Sequence, residues 1–199
     1  MIILGIDFQH LLTVYGPWAI FAVMFAESAL IFFLPEDSFL FVAGVLVAEG
    51  ILGFLPAVIL GILGAVLGNS LGYWIGKKFG EAMFAVERKW LFKREHVDKV
   101  QEYYDNYGPL TVVLARFVPG IRTIAPIAAG VGKMNYGTFF IYNVGGAILW
   151  LLSIMSAGYL LGKIIPVQYV DKYVIVIILG VIVISIIPGL VAYFKNKKR

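Results

Sequence analysis

The chain has 199 residues, 61% hydrophobic and 14% charged, with a mean hydropathy of +0.91. Soluble domains sit near ~45–50% apolar and ~25% charged, so this composition marks an integral membrane protein, read here as one membrane domain. Without cysteine there is no disulfide framework or thiolate metal site. His10 and His96 are too few for a histidine-rich metal centre, and no cofactor is expected. The net charge of +4 gives no ground for a nucleic-acid partner, because the basic residues cluster where membrane topology would put them.

The N-terminus carries neither a basic n-region nor a small-residue cleavage site, so no removable signal peptide is expected. Residues 1–10 read as a short interfacial segment. The uncharged stretch 11–26 is interrupted at Gly16-Pro17 and is short of the ~20 residues a spanning helix needs. Next comes ESALIFFLPEDSFLFVA, residues 27–43, in which Glu27, Glu36 and Asp37 flank Pro35 among apolar neighbours. Two short apolar pieces hinged at a proline predict a re-entrant hairpin over about 27–48.

Residues 50–76 are uncharged and predict a spanning helix. Gly64, Gly68, Gly72 and Gly76 recur every four residues, a flat stripe for close helix approach. Packing within the chain is the preferred use of that stripe, with a homodimer face as the alternative. Asn69 on the same helix is read as structural glue across that contact. Residues 77–106 form the one extended polar stretch, with Val97, Val100, Tyr103, Tyr104 and Tyr107 at helical spacing, and read as an amphipathic cytoplasmic linker ended by Gly108-Pro109.

Residues 108–132 are the second interrupted segment, with breaks expected at Pro119, Gly120 and Pro126, and they contain Arg116 and Arg122. Spanning helices are predicted at about 134–162 and 173–194, and the chain closes on Lys195-Asn196-Lys197-Lys198-Arg199. Lysine and arginine are absent before Lys77. Positive-inside bookkeeping therefore puts the linker and the C-terminus in the cytoplasm and the loop near 166–172 outside. Both ends of 108–132 then lie inside, making it a second re-entrant hairpin of opposite orientation to the first. The expected fold is all-α and polytopic, with inverted repeats of a broken segment plus a span, an arrangement seen in secondary transporters.

A charge near the bilayer centre costs at least ~2.5–3.5 kcal/mol and is by default a functional-site hypothesis. The acidic and basic hairpins are accordingly read as two halves of one site. At these residues the chain resembles the DedA family, whose wider superfamily shares the VTT or SNARE-associated domain. The resemblance covers about residues 25–162 and rests on FAES (25–28), FLPEDSFLFVAG (33–44), GNSLGYWIGKKFG (68–80) and ARFVPGIRTIAPIAAGVGKMNYGTFFIYNVGGAILW (115–150). It implies facing re-entrant hairpins in the cell (plasma or inner) membrane and movement of lipid across the bilayer. Undecaprenyl phosphate and phosphatidylethanolamine are the implied bacterial substrates, and eukaryotic relatives scramble phospholipids. The resemblance also places Glu27, Asp37, Arg116 and Arg122 at the positions on which activity depends. Asn69 stands where many relatives carry an aspartate, and Glu36 where a glycine is common.

Arginine suits such a task because its guanidinium stays charged when desolvated and grips phosphate at two points. Arg116 and Arg122 are thus the expected headgroup ligands. Glu27 and Asp37 are the expected proton-coupling groups, since a carboxyl's proton affinity rises on burial and falls beside an arginine. Sodium is the alternative coupling ion. The competing interpretation is a set of permanent structural ion pairs. An enzyme is not expected: neither histidine is placed as a phosphatase nucleophile, and no Ser/His pair or ligand cluster for an intramembrane protease is visible. An energy-independent scramblase and a non-transporting scaffold or ion-homeostasis protein remain the functional alternatives.

Overall fold

The computed structural model describes residues 2–3, 6–29, 36–85, 104–118 and 121–164. The expected hinges Pro35, Pro119 and Gly120, residues 86–103 of the linker, the 173–194 helix and the basic tail lie outside the described residues. Within them, a two-rung antiparallel pairing joins Ile2 to Asp7 and Ile3 to Ile6, and every other element is a helix.

The first two helices, α1 (Phe8–Tyr15) and α2 (Pro17–Ala29), meet at a bend of 119°. Gly16 makes the corner with φ +57, a conformation that favours glycine. Pro17 opens α2 at the position where a missing N–H costs no intrahelical bond. The interruption expected at Gly16-Pro17 is therefore present.

Helix α3 (Glu36–Ala48) has eleven of its thirteen residues buried, so protein rather than lipid encloses it. At ~1.5 Å per residue it is ~20 Å long, as is α2, and neither can cross a hydrocarbon core of ~30 Å. A turn at Gly50, φ +77, then leads into α4 (Phe54–Ala85). Ile51 and Leu52 both donate to the carbonyl of Leu46 across this turn. Helix α4 consequently starts four residues after the expected position. It also runs past Gly76, so Lys77 and Lys78 belong to α4 and not to a separate linker. No proline interrupts the helix there, and the Lys77 ammonium covers the ring of Trp74 at 5.0 Å, giving the charge an aromatic base at the end of the apolar run.

The second interrupted segment comprises a 3-10 turn (Gly108–Leu110), the single-turn α5 (Thr111–Leu114), another 3-10 turn (Ala115–Phe117) and α6 (Ile121–Val131). The break expected at Pro126 is not found. Helix α6 runs through that proline, which removes one hydrogen-bond donor without ending so short a helix. Lys133, φ 53, turns the chain into α7 (Tyr136–Ile164), whose first turn is capped by Asn135 Oδ1 accepting from the Thr138 N–H at 3.2 Å. Among the described residues, two helices are long and apolar enough to cross a membrane, 54–79 in α4 and 136–164 in α7.

These two helices run antiparallel: Gly61 meets Leu151, Asn69 bonds Asn143, and Tyr73 stacks on Phe139. The glycine stripe of α4 is used inside the chain. Gly64 and Gly68 admit the backbone of α2 at Phe21 and Phe25, while Gly76 admits the backbone of α6 at Ile127. Gly130 of α6 reciprocates against Tyr73 and Lys77. On the other side α3 lies on α7 through Gly44, against Met155 and Tyr159, and through Gly158, against Phe41. The largest cluster of the core, including Ile20, Met24, Phe39, Leu40, Trp150 and Leu151, fills the space between α2, α3, α4 and α7.

Candidate functional site

Three short helices end around one point. Glu27 lies near the C-terminus of α2, Glu36 and Asp37 are in the first turn of α3, and Arg122 is in the first turn of α6. A carboxylate suits the positive end of a helix dipole, whereas an arginine at that end does not, so Arg122 depends on its counter-charges. It has three. Its Nε lies 2.9 Å from Glu36 Oε1, Nη1 donates to Asp37 Oδ2 at 3.0 Å, and Nη2 is 3.6 Å from Glu27 Oε1. The Arg122 side chain is 15% exposed, against 4%, 5% and 21% for those of Glu27, Glu36 and Asp37. Asp37 is the most exposed of the three carboxylates, and Glu27 and Glu36 are buried against this arginine. The face of the Trp150 indole completes the surround, with the guanidinium carbon 6.0 Å from its ring.

Arg116 is held differently. Its Nη2 donates to Asn143 Oδ1 at 2.6 Å, and Asn143 is fully buried. The same oxygen accepts from Asn69 Nδ2 at 3.1 Å, and the Asn143 amide donates in turn to the Val66 carbonyl at 3.1 Å. Asn69 thus bonds across a helix contact, but a different one from the glycine stripe, which faces α2 and α6: it joins α4 to α7 directly at the site. Arg116 itself is buried beside Gly146, whose missing side chain lets the arginine stem lie against α7.

Glu27, Ser28, Glu36, Asn69, Arg116, Arg122 and Trp150 line one small cavity of about 10 Å³. That is room for about one water-sized group. Among the described residues, four buried polar atoms here have no hydrogen-bond partner: Glu36 Oε2, Asp37 Oδ1, Arg116 Nε and Trp150 Nε1. The structure therefore brings together all four charged residues singled out in the sequence, with Asp37 reaching the cluster through Arg122. It differs in how they pair, since the ion pairs converge on Arg122 while Arg116 bonds a neutral amide. Among the described residues no group of three His, Asp or Glu side chains is arranged to hold a metal ion.

Sequence reasoning missed Asn143 and Trp150 as site residues, and it gave Glu36 no role of its own. Asn143, Gly146 and Trp150 stand at i, i+3 and i+7 on one face of α7, inside the motif quoted above. A lone amide and an indole in a long apolar run were the available signal, but they read equally as packing.

Residues 34–160 match the VTT domain family. Protein DedA of Escherichia coli strain K12 is 41% identical over 202 residues, covering 98% of this chain and 91% of that protein. An uncharacterised membrane protein of Mycobacterium tuberculosis strain H37Rv is 36% identical over 180 residues, covering 87% and 76%. Undecaprenyl phosphate transporter A of Bacillus subtilis strain 168 is 31% identical over 182 residues, covering 87% of each. No solved structure matches the chain. The helices, the buried charged cluster and these likenesses define a polytopic membrane protein, and the chain belongs to the DedA family of VTT-domain membrane proteins.

Proposed function

We propose that this protein is a lipid transporter, a flippase that carries a phosphate-bearing lipid across the cell membrane with the buried charged cluster as its midpoint station. The observation that carries the reading is the cavity where two arginines and two carboxylates meet among helices too short to span. A membrane protein bears the cost of burying such charges only where they serve something. The name of the Bacillus subtilis relative, an undecaprenyl phosphate transporter, favours a polyprenyl phosphate over phosphatidylethanolamine as cargo. Glu27 and Asp37 act as the proton-coupling acids, with Arg116 and Arg122 on the headgroup side. No catalytic step is assigned to any of them.

The reading includes two oppositely oriented re-entrant hairpins, one ending in α3 and the other in α6, each followed by a span. Its support is the repetition of contacts. Gly64 and Gly146 stand 82 positions apart, and each faces the preceding broken segment of its own half. Gly76 and Gly158, also 82 apart, each admit a backbone carbonyl of the other half's short helix, Ile127 and Phe41 respectively. The reciprocal glycines Gly44 and Gly130, 86 apart, admit the carbonyls of Met155 and Tyr73, which are themselves 82 apart. An internal two-fold relation accounts for such pairs, and inverted repeats around a midplane site are the transporter pattern.

The test is lipid movement by the purified protein in proteoliposomes, with and without an imposed pH gradient. Gradient-stimulated flipping of a polyprenyl phosphate is the expected result. Equal flipping without the gradient would leave an energy-independent scramblase, and no flipping of any lipid would leave a scaffold or ion-homeostasis role. A homodimer has little to recommend it on α4, whose glycine stripe is already occupied by α2 and α6.

A further inference from the structure

Arg122 is committed to three carboxylates, so a phosphate arriving at the cavity would have to displace them to use it. Arg116 is not committed in this way. One end of its guanidinium is tied to Asn143, and its Nε is buried without a partner. Trp150 is in the same condition: the residue is 2% exposed and its indole N–H has no partner among the described residues. Buried indole N–H groups nearly always find an acceptor, so an orphan one in a lined cavity calls for an explanation.

The geometry explains how the two donors are brought together. Arg116 crosses the face of α7 that carries Asn143, Gly146 and Trp150, with its terminal nitrogen on Asn143. A side chain at position 146 would come within 3.4 Å of Arg116 Nε, so this nitrogen is set at the glycine level, one turn from Trp150. The indole ring is held by the Arg122 guanidinium over its face and by the core packed against it. Both residues line the cavity, which has room for about one oxygen.

We infer that Trp150 is a headgroup-binding residue, its indole N–H and Arg116 Nε together donating to one oxygen of an anionic phosphate. This deepens the transport reading and rests on it for the source of that phosphate. Arg122 then positions rather than binds: it holds the carboxylates and the indole face. The division of labour explains why two arginines so close in sequence have partners of different kinds.

The direct experiment follows the four indole N–H resonances of the isotope-labelled full chain in detergent, with Trp150→Phe identifying its own peak. The probes are a short-chain phosphatidic acid and, separately, inorganic phosphate. Movement of the Trp150 peak at saturating probe is expected. A shift with the lipid alone assigns the site to a lipid headgroup, and a shift with both assigns it to the phosphate group whatever carries it. A peak that neither probe moves means the two donors serve a resident water only, and overturns the inference. Trp150→Phe keeps an aromatic ring beside Arg122 and loses the N–H, so its affinity for the short-chain lipid should fall about tenfold while the variant still unfolds cooperatively, at a temperature lowered only by its smaller buried ring. Parent-level affinity in that variant also overturns it. Flipping by the parent in proteoliposomes separates the two claims: a shifted peak without flipping sinks transport but leaves the site, and flipping with an unmoved peak does the reverse.

Discussion

Arg122 and Arg116 are both buried cations, and their different partners predict opposite failures. Removing the charge of Arg122 leaves Glu27, Glu36 and Asp37 facing one another without a counter-ion. Breaking a buried ion pair from one side typically costs ~3–5 kcal/mol. Arg122→Gln should therefore fold poorly at neutral pH, and its unfolding temperature should rise as pH is lowered, because added protons neutralise the stranded carboxylates. The parent, which still sets two arginines against the three carboxylates, should gain less from acidification, and detergent-solubilised samples scanned from pH 8 to pH 5 would show the contrast. Arg116→Lys predicts the reverse pattern. Lysine can still reach the Asn143 carbonyl oxygen but has no Nε donor along its stem, so stability should stay within ~1 kcal/mol while lipid flipping is lost. Normal flipping by that variant would show that Arg116 only balances charge. Which carboxylate meets which arginine could not be read from the sequence, because charge alternation gives the sign of a site without its wiring. Asn143 and Trp150 were hidden for a related reason, as uncharged residues in an apolar span look the same whether they pack or bind.

Helix packing was more legible. Four glycines at four-residue spacing dictate a flat face, and the structure fills that face from within the chain, with α2 at one end and α6 at the other. The long apolar runs likewise fixed α4 and α7 to within a few residues of their observed ends, except that α4 continues nine residues beyond Gly76. The misjudged end reflects chemistry that hydropathy does not weigh: Lys77 remains helical because Tyr73 and Trp74 give its stem and charge a surface to lie on. Pro126 was misjudged because a proline forbids one bond, not a helix, when the helix is only eleven residues long. A packing prediction follows from the closest of these contacts. A Cβ on Gly76 would collide with the Ile127 carbonyl, and one on Gly158 with that of Phe41. Each Gly→Ala change should cost ~1–3 kcal/mol through overpacking, seen as a lower unfolding temperature, whereas alanine at the uncrowded Gly145 should be near neutral.

Taken together, the helices give the molecule two distinct ends. The Glu49–Gly50 turn sits beside the end of α7, where Gly162 touches Val45 and Ala48, and the Lys133 turn sits beside Lys77 through Gly130. Under the proposed topology the first end faces outside and the second the cytoplasm. The native chain has no cysteine, so single replacements report cleanly. Glu49→Cys should react with an impermeant thiol reagent on intact cells, and Lys133→Cys only after permeabilisation. The opposite labelling pattern would invert the whole arrangement.

The cluster at the centre holds three acids and two bases. Fully ionised it carries one surplus negative charge, before any cargo arrives. A phosphate entering ~4 Å from an uncompensated carboxylate would meet a repulsion of ~4 kcal/mol at the dielectric typical of protein sites. An anion can therefore settle there only in company with positive charge. On the proposed mechanism this makes the cargo's arrival and the cation's uptake a single electrical event. The number of protons consumed per lipid is then set by the arithmetic of the site, not by the steepness of the gradient. Glu36 is the residue that tips that arithmetic. Glu36→Gln should lower the count of protons moved per lipid by one, measurable as internal acidification of dye-loaded proteoliposomes against lipid delivered. A relative with glycine at this position would run the same lipid on a smaller proton toll.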